Sequence, residues 1–146
     1  MDIKMKLDVP AEYFFNRLVE SALYDINQQT GKQLKASQLP NFAYKRKLTN
    51  GSYGRFLVTD YKSGGVYAYS MHTGRNDYSV SYNVEDIGDH KAQLHYTEKV
   101  AGATTAVNAN NRLTSTMLGW FRKRRFKKMA AEIAKDYANK LDIPQN

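Results

Sequence analysis

The sequence contains no cysteine, which excludes disulfides, thiolate metal sites and a cysteine nucleophile together and is compatible with a reducing compartment. No apolar run approaches the roughly 20 residues that a bilayer-spanning helix needs. The N-terminal MDIKMKLDVP alternates charged and apolar residues, so it lacks the continuous apolar stretch of a secretory signal. A soluble, cytoplasmic protein is the expectation. Familiar catalytic spacings are missing as well. HExxH does not occur, and no serine sits in GxSxG. Glycines 51, 54, 64 and 65 do not form GxxxxGK followed by Ser or Thr, and strand-like segments flank them on both sides, so hairpin turns account for them. Of the three histidines, His72, His90 and His95, the last two are five apart. That spacing puts them on opposite faces of a regular strand, and neither a metal nor another cofactor is expected.

Acidic residues are scarce in one place. The chain has 22 Lys and Arg against 14 Asp and Glu, and the segment GWFRKRRFKK (119–128) supplies six of the former and none of the latter. The remainder carries 16 against 14, so the basicity is local. A general polyanion binder spreads its charge over a face, and a groove-reading helix needs Asn, Gln or Ser among its arginines, which are absent here. Three readings of Arg122, Lys123, Arg124, Arg125, Lys127 and Lys128 stand side by side. They solvate one end of a helix, they meet an anionic lipid or ligand head group, or they attract nucleic acid or an acidic protein.

What is present points to a mixed fold. At 146 residues the chain suits one domain, 1–146, with a core of its own. Ile3, Met5, Leu7 and Val9 alternate with charged residues, the pattern of a strand buried on one face. Pro10 stops it and opens a helix, whose apolar stripe of Phe14, Leu18, Ala22 and Ile26, joined by Phe15, Val19 and Leu23, ends near Gly31. Residues 32–40 read as a connector with a short helical turn. From Asn41 to Val100, tyrosine, valine and threonine alternate with turn signals at Asn50-Gly51, Ser63-Gly64-Gly65, Gly74 to Asp77 and Gly88-Asp89. Reversals this close leave no room for crossover helices. They predict an antiparallel meander of five strands at about 42–49, 52–61, 65–73, 77–86 and 91–101. Residues 103–111 read as loosely structured. From Arg112 to Leu141 a helix is expected, with Met117, Leu118, Phe121, Met129, Ile133 and Tyr137 on one arc that Arg122 and Arg125 interrupt.

Strand, immediate helix, connector, meander and long terminal helix: this order, with LDVPAEYFF at 7–15, resembles the helix-grip superfamily of START lipid-transfer domains, polyketide cyclases and birch-pollen allergens. More narrowly, the chain is similar to a small family of unknown function from Gram-positive bacteria grouped with that superfamily. The resemblance implies an α+β fold, a curved antiparallel sheet of about six strands wrapped around a long C-terminal helix. Five strands follow the connector where the superfamily usually has six. The resemblance also implies an apolar ligand held between sheet and last helix.

The physics agrees: a curved sheet cannot lie flush along a straight helix, so large side chains or a guest must fill the space. Alternation puts Tyr67, Tyr69 and Met71 on one face, Tyr78, Val80, Tyr82 and Val84 on one face, and Leu94 with Tyr96. The candidate ligand-binding residues are Tyr67, Tyr69, Met71, Tyr82, Tyr96, Trp120 and Phe121, which either fill the space or line it. Glu98 shares the parity of Tyr96 and is the one candidate acid or base, its pKa rising if it is desolvated. Noncatalytic binding of a small amphipathic ligand is the function expected. A polyanion or anionic-membrane module acting through residues 122–128 and a polyketide-cyclase-like enzyme are the alternatives.

Overall fold

The computed structural model describes residues 2–48, 51–102, 124 and 126–141. The opening alternation forms strand β1 (Asp2–Leu7), with Ile3 and Leu7 buried. Val9 is fully buried too but lies beyond the strand, packed against the core from the turn into the helix. Helix α1 (Ala11–Thr30) starts directly after Pro10, whose carbonyl accepts the Phe14 N–H at 3.1 Å. Its buried residues include Phe14, Phe15, Leu18, Val19 and Ile26, the stripe that the four-residue recurrence predicts. The helix stops where Gly31 turns left-handed at φ 70° and donates its N–H to Asn27 O at 2.9 Å.

The connector is held rather than loose. Asn27 accepts the Leu34 N–H through Oδ1 at 2.8 Å and donates from Nδ2 to the Leu34 carbonyl at 3.3 Å. A 3-10 turn at Ala36–Gln38 follows, and the fully buried Leu39 pins its end to the core.

Five strands succeed it: β2 (Ala43–Lys47), β3 (Tyr53–Lys62), β4 (Val66–His72), β5 (Asn76–Gly88) and β6 (Lys91–Gly102). They match the meander expected from the turn signals to within a few residues. At the β2–β3 reversal Gly51 has φ 85°, while Asn50 lies outside the described residues. At the β5–β6 reversal the tight turn uses Asp89 and His90, with φ of 54° and 57°, and Gly88 ends the strand just before it.

The six strands form one antiparallel sheet in the order β1-β6-β5-β4-β3-β2. β1 therefore closes onto the last strand, pairing Ile3 with Tyr96 and Met5 with Leu94. Register shifts between Val58 and Asp60 and between Asp86 and Gly88 insert bulges, which bend the strands and add to the sheet's curvature. Residues 126–141 form helix α2. Its Phe126 ring packs 4.8 Å from Tyr96 and 6.1 Å from Tyr82, so this end lies on the sheet. Toward its other end Tyr137 packs 5.0 Å from Tyr13, and Asp136 reaches Arg17 at 3.5 Å, so it also rests on α1. The expected helical stretch 112–123 and the segment 103–111 fall outside the described residues. The whole is α+β with the helix-grip arrangement.

Candidate ligand-binding cleft

Strand pairing carries the site. Tyr67 on β4 sits opposite Tyr82 on β5, which sits opposite Tyr96 on β6. One row along, Val58, Tyr69, Val80 and Glu98 face one another in turn, and Tyr44, Phe56, Met71 and Tyr78 form the next row. Residues aligned this way share one face, so an aromatic chain runs across the inner surface of the sheet. Ring centroids are separated by 5.0 Å for Tyr44–Phe56, 5.7 Å for Phe56–Tyr69, 5.7 Å for Tyr69–Tyr67, 6.2 Å for Tyr67–Tyr82 and 5.0 Å for Tyr82–Tyr96. These spacings are favourable for offset and edge contacts.

The aromatic chain does not fill the space beneath the helices. A cleft of about 210 Å³ lies between sheet and helices, lined by Leu18, Ser21, Ala22 and Asp25 of α1, Tyr44 and Arg46 of β2, Phe56 of β3, Tyr67 and Tyr69 of β4, Tyr82 of β5 and Met129 of α2. Arg46 Nη1 donates to Asp25 Oδ2 at 2.7 Å, tying the edge strand to α1. The guanidinium carbon also stands 6.0 Å from the Phe56 ring centroid.

The hydroxyls along the wall are neutral phenols at ordinary pH. Burial, reinforced by the Asp25 carboxylate and partly opposed by Arg46, pushes Tyr44 up to about 12. Burial, then the surrounding tyrosines, drives Tyr67 higher still, and burial followed by Tyr69 and Glu98 does the same for Tyr82. Among the described residues the Tyr44, Tyr67 and Tyr82 hydroxyls take no protein hydrogen bond, yet no fully buried side-chain oxygen is left unsatisfied. Each hydroxyl therefore reaches accessible space, which is the cleft they line.

Tyr67, Tyr69 and Tyr82 thus come together in the cleft. Tyr96 lies beside it, wedged between Tyr82 and Phe126, and its hydroxyl donates to Glu98 Oε2 at 2.8 Å. Glu98 points inward, 7% exposed, as its parity predicts. Burial first and the Glu98 carboxylate second raise the Tyr96 hydroxyl far above the ordinary phenol range. Met71 does not line this cleft; it lies over Gly54, where an added Cβ would come within 3.3 Å of Met71 Cγ and Sδ. Trp120, Phe121, Arg122, Lys123 and Arg125 are outside the described residues, whereas Arg124, Lys127 and Lys128 are exposed.

Tyr44, Arg46, Phe56, Ser21 and Asp25 were not among the candidates drawn from the sequence. Signals for them exist. Tyr44 and Arg46 share a strand face, and Ser21 and Asp25 break the apolar stripe of α1 at positions flanking Ala22. The histidines lie away from the cleft. His72 Nδ1 pairs with Asp77 at 2.7 Å, His95 with Asp2 at 2.5 Å, and His90 occupies the β5–β6 turn. Among the described residues no group of three or more His, Asp or Glu is placed to hold a metal ion. No helix among them is long and apolar enough to cross a membrane.

Residues 1–119 match the family model of DUF3284, a domain of unknown function. The chain belongs to the DUF3284 family. No curated protein matches this DUF3284 chain. In structure it is similar to a conserved protein from Geobacillus kaustophilus, at a TM-score of 0.58 and 18% identity over 92% of this chain and 94% of the other. It is likewise similar to Ara h 8.0201, at 0.57 and 12% identity over 92% and 97% of the two chains. A protein from Mesorhizobium loti aligns at 0.56 and 11% identity over 98% and 100%. At such identities the likeness shows the fold alone, and it is the helix-grip fold.

Proposed function

We propose that this DUF3284 chain is a noncatalytic binder, working as one domain, that holds a small amphipathic molecule between its sheet and helices. The observation that carries the reading is the cleft of about 210 Å³ whose walls, among the described residues, combine aromatic faces, three phenol groups without a protein hydrogen bond and one ion pair. An apolar guest body covers the rings, and its polar groups supply the hydrogen bonds that the phenols lack, which water alone otherwise provides. An engineered apolar cavity of about 150 Å³ accommodates benzene, so this volume suits a guest of about one substituted ring. Glu98 lies outside the cleft lining and accepts the Tyr96 hydroxyl, which supports a structural polar pair rather than a proton carrier at the guest.

Native mass spectrometry of freshly purified protein tests the reading. A copurified small molecule, released when the protein is denatured, is the expected result. Persistent absence of an adduct, together with no response to a library of ring-sized amphiphiles, removes the proposal.

A second reading rests on the exposed Lys127 and Lys128 of α2, which belong to the dense cation run. Such a cluster would attract polyanions or anionic membrane in a strongly salt-dependent way. Titration against RNA, DNA and anionic vesicles tests it, and absence of binding even at low salt discards it.

A further inference from the structure

We infer that Arg46 is an anion anchor and that the cleft selects a compact monocarboxylate with an apolar body of about one ring, a refinement that rests on the binding reading above. Arg46 stands out because β2 sends a permanent cation into a cleft whose other described sheet residues, Tyr44, Phe56, Tyr67, Tyr69 and Tyr82, are all aromatic. Among the described residues it is the one cation in the cleft wall, and Asp25 is the one anion.

The guanidinium carries five N–H donors. A single one, on Nη1, reaches Asp25 Oδ2 among the described residues. The remaining donors are available to a second carboxylate in the paired geometry that arginine favours. The pair is also neither sealed nor fully open: each of its side chains is 38% exposed, so an incoming group can reach it without unfolding the edge strand.

The sign of the guest's charge follows from its surroundings. Tyr44, Tyr67 and Tyr82 keep their protons at neutral pH and so can donate to a guest oxygen. The chain carries a net charge of +8, which draws anions toward it from a distance. A cationic guest would meet Arg46 as an anionic one meets Asp25, but the spare guanidinium N–H groups and the phenol hydrogens weight the spot toward an anion. The body of the guest then lies along Phe56, Tyr67, Tyr69 and Tyr82.

Calorimetric titration of the full chain with benzoate, benzyl alcohol and methyl benzoate tests this. Benzoate should bind roughly tenfold more tightly than either neutral probe, the scale of one partly screened charged hydrogen-bond pair. Arg46→Gln should erase that preference, bringing benzoate down to the affinity that the same variant shows for the neutral probes, with circular dichroism checking the fold. Asp25→Asn, which leaves Arg46 without its competitor, should keep or strengthen benzoate binding and serves as the deciding variant if Arg46→Gln does not fold. Neutral probes binding as tightly as benzoate, a preference that survives Arg46→Gln, or weaker benzoate binding in Asp25→Asn overturns the anchor while the cleft reading stands. If no probe binds and no molecule copurifies, both fall together.

Discussion

Raising the pH should unfold this protein through its inner tyrosines. Tyr67 and Tyr96 are 6% and 7% exposed, and burial places both hydroxyls far above the ordinary value near 10 in the folded state. In the unfolded chain they ionise at that ordinary value. The folded state therefore holds protons that the unfolded state has lost, and stability falls as pH climbs above 10 toward the folded-state values. Each such group contributes about 1.4 kcal/mol per pH unit, so the pair removes about 5 kcal/mol between pH 10 and 12. That loss is comparable to the whole stability of many domains, about 5–15 kcal/mol. Tyr82, raised in the same direction, steepens the fall. The assay is a tyrosinate absorbance titration run beside circular dichroism. Part of the signal from the 11 tyrosines should rise near pH 10, and a second part only with loss of structure. One smooth titration of all the tyrosines near pH 10 with the fold intact would refute the packing of the aromatic chain.

Two further perturbations probe separate parts of the fold. Tyr96→Phe keeps the ring contacts with Tyr82 and Phe126 but removes the 2.8 Å hydrogen bond to the buried Glu98. A loss of about 1.5–3 kcal/mol is expected at neutral pH, read from the urea midpoint, and an unchanged midpoint would mean that this bond contributes nothing. Gly31→Ala places a Cβ at φ 70°, where nothing lies within 4 Å, so its cost is purely conformational. About 1 kcal/mol should be lost, and a neutral or stabilising result would show that α1 does not end in a left-handed turn.

Local chemistry wrote most of the secondary structure plainly. Gly31 ends α1 because a left-handed residue is needed there, and the closely spaced turn signals left strands as the sole occupants of residues 43–102. Period-two alternation correctly aimed Tyr67, Tyr96 and Glu98 inward, because a strand's side chains must alternate whatever lies beyond it. The β5–β6 turn was less legible. Gly88 marked the reversal and takes φ 85°, but Asp89 and His90 adopt positive φ as well, which the twist of the paired strands favours in a tight turn.

Contacts between elements distant in the chain were decided by tertiary structure. That β1 completes the sheet by pairing with β6 depends on which edge is left open once the meander has formed. Met71 and Tyr69 share a face, yet Tyr69 lines the cleft and Met71 settles over Gly54, since the position of the helices chooses which stretch of the face stays uncovered. Arg46 and Asp25 are 21 residues apart and meet only when β2 takes the sheet edge beside α1. Periodicity in the sequence sets which way each side chain points, because that follows from the backbone of its own element. What it faces depends on the mutual placement of elements, and from that placement come the cleft, its aromatic wall and the Arg46–Asp25 ion pair.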